Sequence, residues 1–204
     1  MVAILSGDII NSRKVEASIW LPELKKVLNL YGKSPKEWEI YKGDSFQVKV
    51  KPDEALQVVM HIKATIKQHK NLDVRMSIGI GKMTYKGDKI TESNGDAFVR
   101  SGDAFEVLRK DETMVISTPW EKFDATINLN LNTANVFISN WTPASSKIIK
   151  TIFENPSFKQ KELAEFLNKK QSNISTGLKR AAFHVVESLM EYYKTEIKEL
   201  CSIS

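Results

Sequence analysis

The chain has 204 residues, 42% of them hydrophobic and 27% charged, with 30 Lys+Arg against 25 Asp+Glu for a net charge of +5. That is the make-up of a globular protein with a real core, and no apolar run approaches the roughly 18 residues of a membrane-spanning helix. One cysteine, Cys201, excludes an internal disulfide and fits a reducing cytoplasm, and three histidines (His61, His69, His184) without metal-ligand spacing argue against a zinc site.

The first segment, MVAILSGDII, lacks the positive flank and cleavage site of a signal peptide. Its apolar run Val2 to Leu5 predicts a buried strand. Residues 14–32 space Ala17, Trp20, Leu21, Leu24 and Leu28 as on a helix. Trp38 and Ile40, then Phe46, Val48 and Val50, alternate at period two around Gly43-Asp44, which predicts a hairpin turning on that pair. Pro52-Asp53-Glu54 opens a helix carrying Leu56, Val59, Ile62 and Ile66. Val74, Met76, Ile78 and Ile80 alternate again, Lys86-Gly87-Asp88 turns, Phe98, Phe105 and Leu108 mark a helix, and residues 113–116 a closing strand.

This β-α-β-β-α-β order, with one more helix and strand, predicts an α+β chain. Its first domain, residues 1–118, is expected to be ferredoxin-like, an antiparallel sheet with helices on one face. That plan sets the end of the first strand, with Asp8, beside the hairpin turn, with Asp44. Two carboxylates at a solvent-facing edge repel unless a cation lies between them, and Mg2+ with a triphosphate is the usual answer. By itself, a Gly-Asp pair is also an ordinary turn signal, and the Asp8 segment an ordinary cap.

From residue 119 the pattern is all helical. Phe123, Ile127, Leu131, Ala134, Ile138 and Trp141 lie on one stripe of a long helix, residues 119–141, read as a connecting helix that carries dimerisation or acts as a strut. Thr142-Pro143 starts another helix, and a second, all-helical domain, residues 142–204, follows. Within it QKELAEFLNKKQSNISTGLKRA fits a helix-turn-helix: Leu163, Phe166 and Leu167 inward, Ala164 at the crossing, Asn168 at the turn, Ile174 and Leu178 as anchors. Gln171, Ser172, Asn173, Ser175, Thr176, Lys179 and Arg180 then face outward. Gln and Asn suit adenine, Ser and Thr a base edge or phosphate, and Lys and Arg the backbone. Lys147 to Arg180 carries eight Lys/Arg against three Glu. Two features depart from the motif: Lys169 replaces an apolar turn residue, and Gly177 sits inside the recognition helix at a cost of about 1 kcal/mol. Phe183, His184 and Val186 read as core, and Met190, Tyr192, Tyr193 and Ile197 as a terminal helix packed on the domain or on another subunit.

VAILSGDIINSR resembles the first strand and loop of class III nucleotidyl cyclases and GGDEF-type cyclases. IYKGDSFQV resembles their hairpin, VRMSIGIG the strand that follows, and NGDAFVRSGDAFEVL the last helix. GDIINSR and GDSFQ together, with the helix-turn-helix, resemble most closely the SatD family over almost the whole chain. The resemblance implies a cyclase-like palm holding Mg2+ or Mn2+ through Asp8, Ile9 and Asp44, and a nucleotide through Asn11, Ser12, Arg13, Lys42 and Gly43. It also departs from an active cyclase. The helix asparagine and arginine that hold ribose and the reacting phosphate fall on Val99 and Asp103, with Arg100 one residue off. The base-selecting lysine falls on Ile40, with Lys42 on the other face, and the second GGDEF acid on Ser45. The expected function is therefore a homodimeric regulator of transcription that binds double-stranded DNA, its palm inactive and used to sense a ligand or to dimerise. The alternative is a metal-dependent nucleotidyl cyclase or nucleotidyltransferase using Asp8 and Asp44.

Overall fold

The computed structural model describes residues 1–109 and 112–203. Five strands alternate with helices in the order β1 (Val2–Ile10), α1 (Ala17–Tyr31), β2 (Trp38–Tyr41), β3 (Ser45–Val50), α2 (Ala55–Lys67), β4 (Asp73–Gly81), α3 (Asp96–Glu106) and β5 (Met114–Ser117). Five helices follow: α4 (Glu121–Ile138), α5 (Pro143–Glu154), α6 (Gln160–Phe166), α7 (Gln171–Arg180) and α8 (Phe183–Ile203). The protein is thus α+β: a five-stranded sheet with helices, then a C-terminal helical region.

The sheet order is β2-β3-β1-β4-β5. The first three pairings are antiparallel, while β5 joins β4 in parallel. The sheet is therefore mixed, where an antiparallel one was expected. Helices also cover both faces rather than one. Period-two alternation separates the faces. Ala3, Leu5, Phe46, Val48, Val74, Met76, Ile78 and Ile80 point into the main core with Trp20, Leu24, Val27 and Leu28 of α1 and most of α2. Each such large side chain contributes roughly 1.5–3 kcal/mol by leaving water.

The opposite phase holds Ile4, Ser6, Asp8, Arg75, Ser77, Gly79 and Gly81, and α3 lies there, with Ala97 and Phe98 packed on Ile4. Its seat needs the two glycines. A Cβ on Gly79 would stand 2.2 Å from the Ala97 carbonyl oxygen, and one on Gly81 2.7 Å from the Ala97 nitrogen. Only a bare backbone lets the helix come this near.

The C-terminal helices share the main core. Phe123, Ile127, Leu131, Ala134 and Ile138 of α4 and Phe183, Val186, Tyr193 and Ile197 of α8 are buried in it, and the Tyr193 hydroxyl donates to the Pro52 carbonyl at 2.8 Å. Asn128 of α4 bonds both backbone groups of Ile116, at 2.8 and 2.7 Å. It thereby occupies hydrogen-bonding groups on the edge strand β5 that another strand could otherwise use. His184, expected in the core, is exposed, because α8 turns it away while Phe183 and Val186 point in.

Candidate functional site: a sheet-edge acid pair and an exposed polar helix

Near the end of β1, Asp8 is the ladder partner of Ser45 on one side and of Arg75 on the other. The hairpin pairs Tyr41 with Ser45, so its turn comprises residues 42–44. Lys42 and Gly43 take the left-handed backbone, with φ of 52° and 90°. The turn thus contains the expected Gly43-Asp44 pair and adds Lys42 before it. Asp44 is its last residue, and its carbonyl accepts from the Ile9 N–H at 3.3 Å. The backbone therefore brings Asp8 and Asp44 to the same end of the sheet.

Their side chains are already engaged. Arg75 grips Asp8 bidentately, Nε to Oδ1 at 3.0 Å and Nη2 to Oδ2 at 2.6 Å, with its guanidinium 5.3 Å from the centre of the Phe105 ring. Asp44 accepts from the Ser12 hydroxyl at 2.5 Å. Tyr41 shares this corner: burial, with the Asp8 charge adding, pushes its hydroxyl above the usual phenol range. Beneath α3 the same sheet face continues as a hydroxyl seam, in which Ser101 donates to Ser6 at 2.9 Å and Ser77 to the Ser101 carbonyl at 2.7 Å.

The nucleotide positions proposed from sequence line the rim. Arg13, Lys42 and Gly43 are exposed, Ser12 is spent on Asp44, and Asn11 donates to the Asn71 carbonyl at 3.1 Å. Ile9 is buried in the core, 3% exposed. On α3, Val99 and Asp103 are exposed, and Arg100 turns back to the Thr118 carbonyl at 2.7 Å. A resident divalent cation does not fit this arrangement. Both Asp8 oxygens are committed to a guanidinium, which already supplies the positive charge that two acids would otherwise seek. Among the described residues, no group of three or more His, Cys, Asp or Glu side chains is placed to hold a metal.

Sequence reasoning passed over Arg75. It sits in the outward phase of an apolar central strand, where a charge demands a partner. Asp8, on the neighbouring strand, supplies it once the register is known.

The second candidate is α7. Leu163, Ala164, Ile148 and Ile174 form a small core joining α5, α6 and α7. Asn168 turns the chain with φ of 50°, as its tolerance of that region allows. All seven outward positions, Gln171, Ser172, Asn173, Ser175, Thr176, Lys179 and Arg180, are exposed. Gly177 explains its own presence: a Cβ there would meet Ile148 Cδ1 at 2.8 Å, so α7 lies close on α5. One of the eight cations is withdrawn, since Lys150 is buried and pairs with Glu154 at 2.9 Å and Glu23 at 3.3 Å. Lys147, Lys159, Lys161, Lys169 and Lys170 stay exposed beside Lys179 and Arg180.

The family model described as SatD family matches residues 1–194. The chain belongs to the SatD family. No curated protein matches it. The SatD match runs through the sheet, both candidate sites and most of α8, so the Asp8 edge and the α7 ridge lie within one family architecture. No helix is long and apolar enough to cross a membrane among the described residues.

Proposed function

We propose that this SatD-family protein is a DNA-binding regulator. In this reading α6 and α7 are a helix-turn-helix, α7 lies in the major groove of double-stranded DNA, and the sheet is a ferredoxin-like, cyclase-type palm without chemistry of its own. The observation that carries the reading is the ridge of α7. Seven polar or cationic side chains stand in solvent on a helix whose apolar side is anchored by Ile174, 0% exposed. Gln171 and Asn173 have the paired donor and acceptor that suit adenine, while Lys179 and Arg180 suit phosphates. The exposed lysines around them add the sequence-independent attraction that any such contact needs.

The test is fluorescence anisotropy with genomic fragments at two salt concentrations. Binding that favours particular fragments and weakens steeply with salt is expected. Binding without preference or salt slope would count against the reading.

The adjacency of Asp8 and Asp44 favours a second reading, a metal-dependent nucleotidyl cyclase or nucleotidyltransferase. The Arg75 clamp on Asp8 opposes it, as do Val99 and Asp103 where ribose and phosphate contacts would be needed. Incubation with each nucleoside triphosphate and Mg2+ or Mn2+, followed by chromatography, is expected to give no product.

A further inference from the structure

We propose that two copies of this chain associate through the outer face of α4 and the adjoining flank of α8. The proposal does not rest on the DNA-binding reading.

It starts from charge. From Ala125 to Ser146 the chain carries no charged side chain and no histidine. A helix with one face in water normally places charges there. On α4 that face carries Leu129 at 70%, Val136 at 62% and Phe137 at 42% exposure, among Ala125, Thr126, Asn130, Asn132 and Thr133. Beside it Thr126, Asn130 and Thr133 border a groove whose other wall is Val185, Leu189 and Tyr192 of α8. Charges return at the margin, with Glu121 and Lys122 at one end and Glu187 and Glu191 along α8. A neutral, partly apolar centre inside a charged rim is how a protein interface is built.

Several polar groups on and beside the face are prepared for loss of water. Thr126 donates to the Lys122 carbonyl at 3.0 Å, Asn130 to Thr126 at 2.9 Å, Thr133 to Leu129 at 3.0 Å and Asn140 to Val136 at 2.7 Å. These side chains fold back on their own helix. Covering them leaves few donors unpaired, and unpaired donors are the main cost of burying a polar surface.

The same features select the occupant. Nucleic acid needs cations, and a membrane-surface helix needs a basic rim beside its apolar stripe. A charged partner would bury its charges against groups that cannot pair them. A second copy brings the same neutral surface, so a two-fold axis sets no like charges against each other. Size agrees: α4 is about 27 Å long, and with the α8 flank the face is roughly 20 Å wide. It offers on the order of 500 Å² per copy, and two copies reach roughly 1,000 Å², the lower bound for a specific interface.

Sedimentation velocity on the full chain tests this. The wild type should run as a dimer. Leu129→Glu with Val136→Glu should run as a monomer with unchanged helix content by circular dichroism, since both side chains are already in solvent. If that variant loses helix content, Leu129→Gln with Val136→Gln replaces it, and the dimer should weaken by at least about tenfold. A wild type that stays monomeric at about 100 μM, or a dimer that withstands the substitutions, overturns the proposal. The α7 ridge is untouched in these variants, so binding of DNA by each copy is read independently.

Discussion

Arg75 and Asp8 face each other across the β4–β1 ladder, and the guanidinium holds both carboxylate oxygens at 2.6 and 3.0 Å. The pair spans 67 positions of sequence and sits where two acids were expected to share a metal. The chain neutralises Asp8 with its own cation.

Arg75→Ala leaves Asp8 without that partner. The two side chains keep 33% and 24% of their exposure, so the loss is modest, about 1–2 kcal/mol in urea unfolding. The same variant opens the Asp8–Asp44 edge to cations. Calorimetry with Mn2+ should register weak binding in Arg75→Ala and none in the wild type. Wild-type binding of equal strength would show that the clamp does not exclude the ion.

Lys63 is fully buried, with Nζ 2.6 Å from Asp73 and 3.1 Å from the Val74 carbonyl. Burial draws its ammonium down from 10.5 to about 8, despite the pull of Asp73. The unfolded chain therefore binds more protons than the folded one between about pH 8 and 10.5, and this site's contribution to stability rises with pH across that window. The change is on the order of 3 kcal/mol. Tyrosine titration works in the opposite direction near pH 10, so the effect is read as wild type minus Lys63→Met. That difference should grow in favour of the wild type from pH 8 to 10.

His61 acts with the same sign in a more acidic window. It stacks on Phe153 of α5 at 5.3 Å and pairs with the Tyr31 hydroxyl at 2.7 Å. Burial, with the Lys150 charge adding, lowers it from 6.5 to about 3. The stability of the neutral imidazole is fully present above 6.5 and is lost as pH falls toward 3, by roughly 1.4 kcal/mol per unit. Chemical unfolding between pH 7 and 4 should show this slope in the wild type and a shallower one in His61→Phe, which keeps the stacking.

The proposed DNA-binding role of α7 predicts two separable kinds of contact. Lys179→Ala and Arg180→Ala should weaken binding to all sequences alike and lower the salt slope by about one each. Asn173→Ala should cost about 1–3 kcal/mol on the preferred sequence and little elsewhere. Equal losses on every sequence from Asn173→Ala would place that residue at the backbone instead.

The elements themselves were legible because their signals are local. Val74, Met76, Ile78 and Ile80 alternate and all face the core; Phe123, Ile127, Leu131, Ala134 and Ile138 keep helical spacing and are all buried; Asn168 takes the left-handed turn its side chain tolerates. Local pattern could also place Asp8 beside the hairpin, since a β-α-β-β order leaves few arrangements. What side chains do across the sheet was not local. Whether Asp8 meets a metal or Arg75 depends on the β1–β4 register, and a shift of one residue would send Arg75 to the other face.

The order of strand and helix, the polar ridge of α7 and the charge-free stretch of α4 are properties of sequence period and composition, so the chain carried them before folding. Tertiary structure decided the rest: the parallel seat of β5, α3 on the second face, the withdrawal of Lys150 from the basic surface, and the closure of Asp8 by Arg75. Each joins residues distant in sequence, and the free energy of such contacts comes from burial and geometry that exist only once the layers have packed.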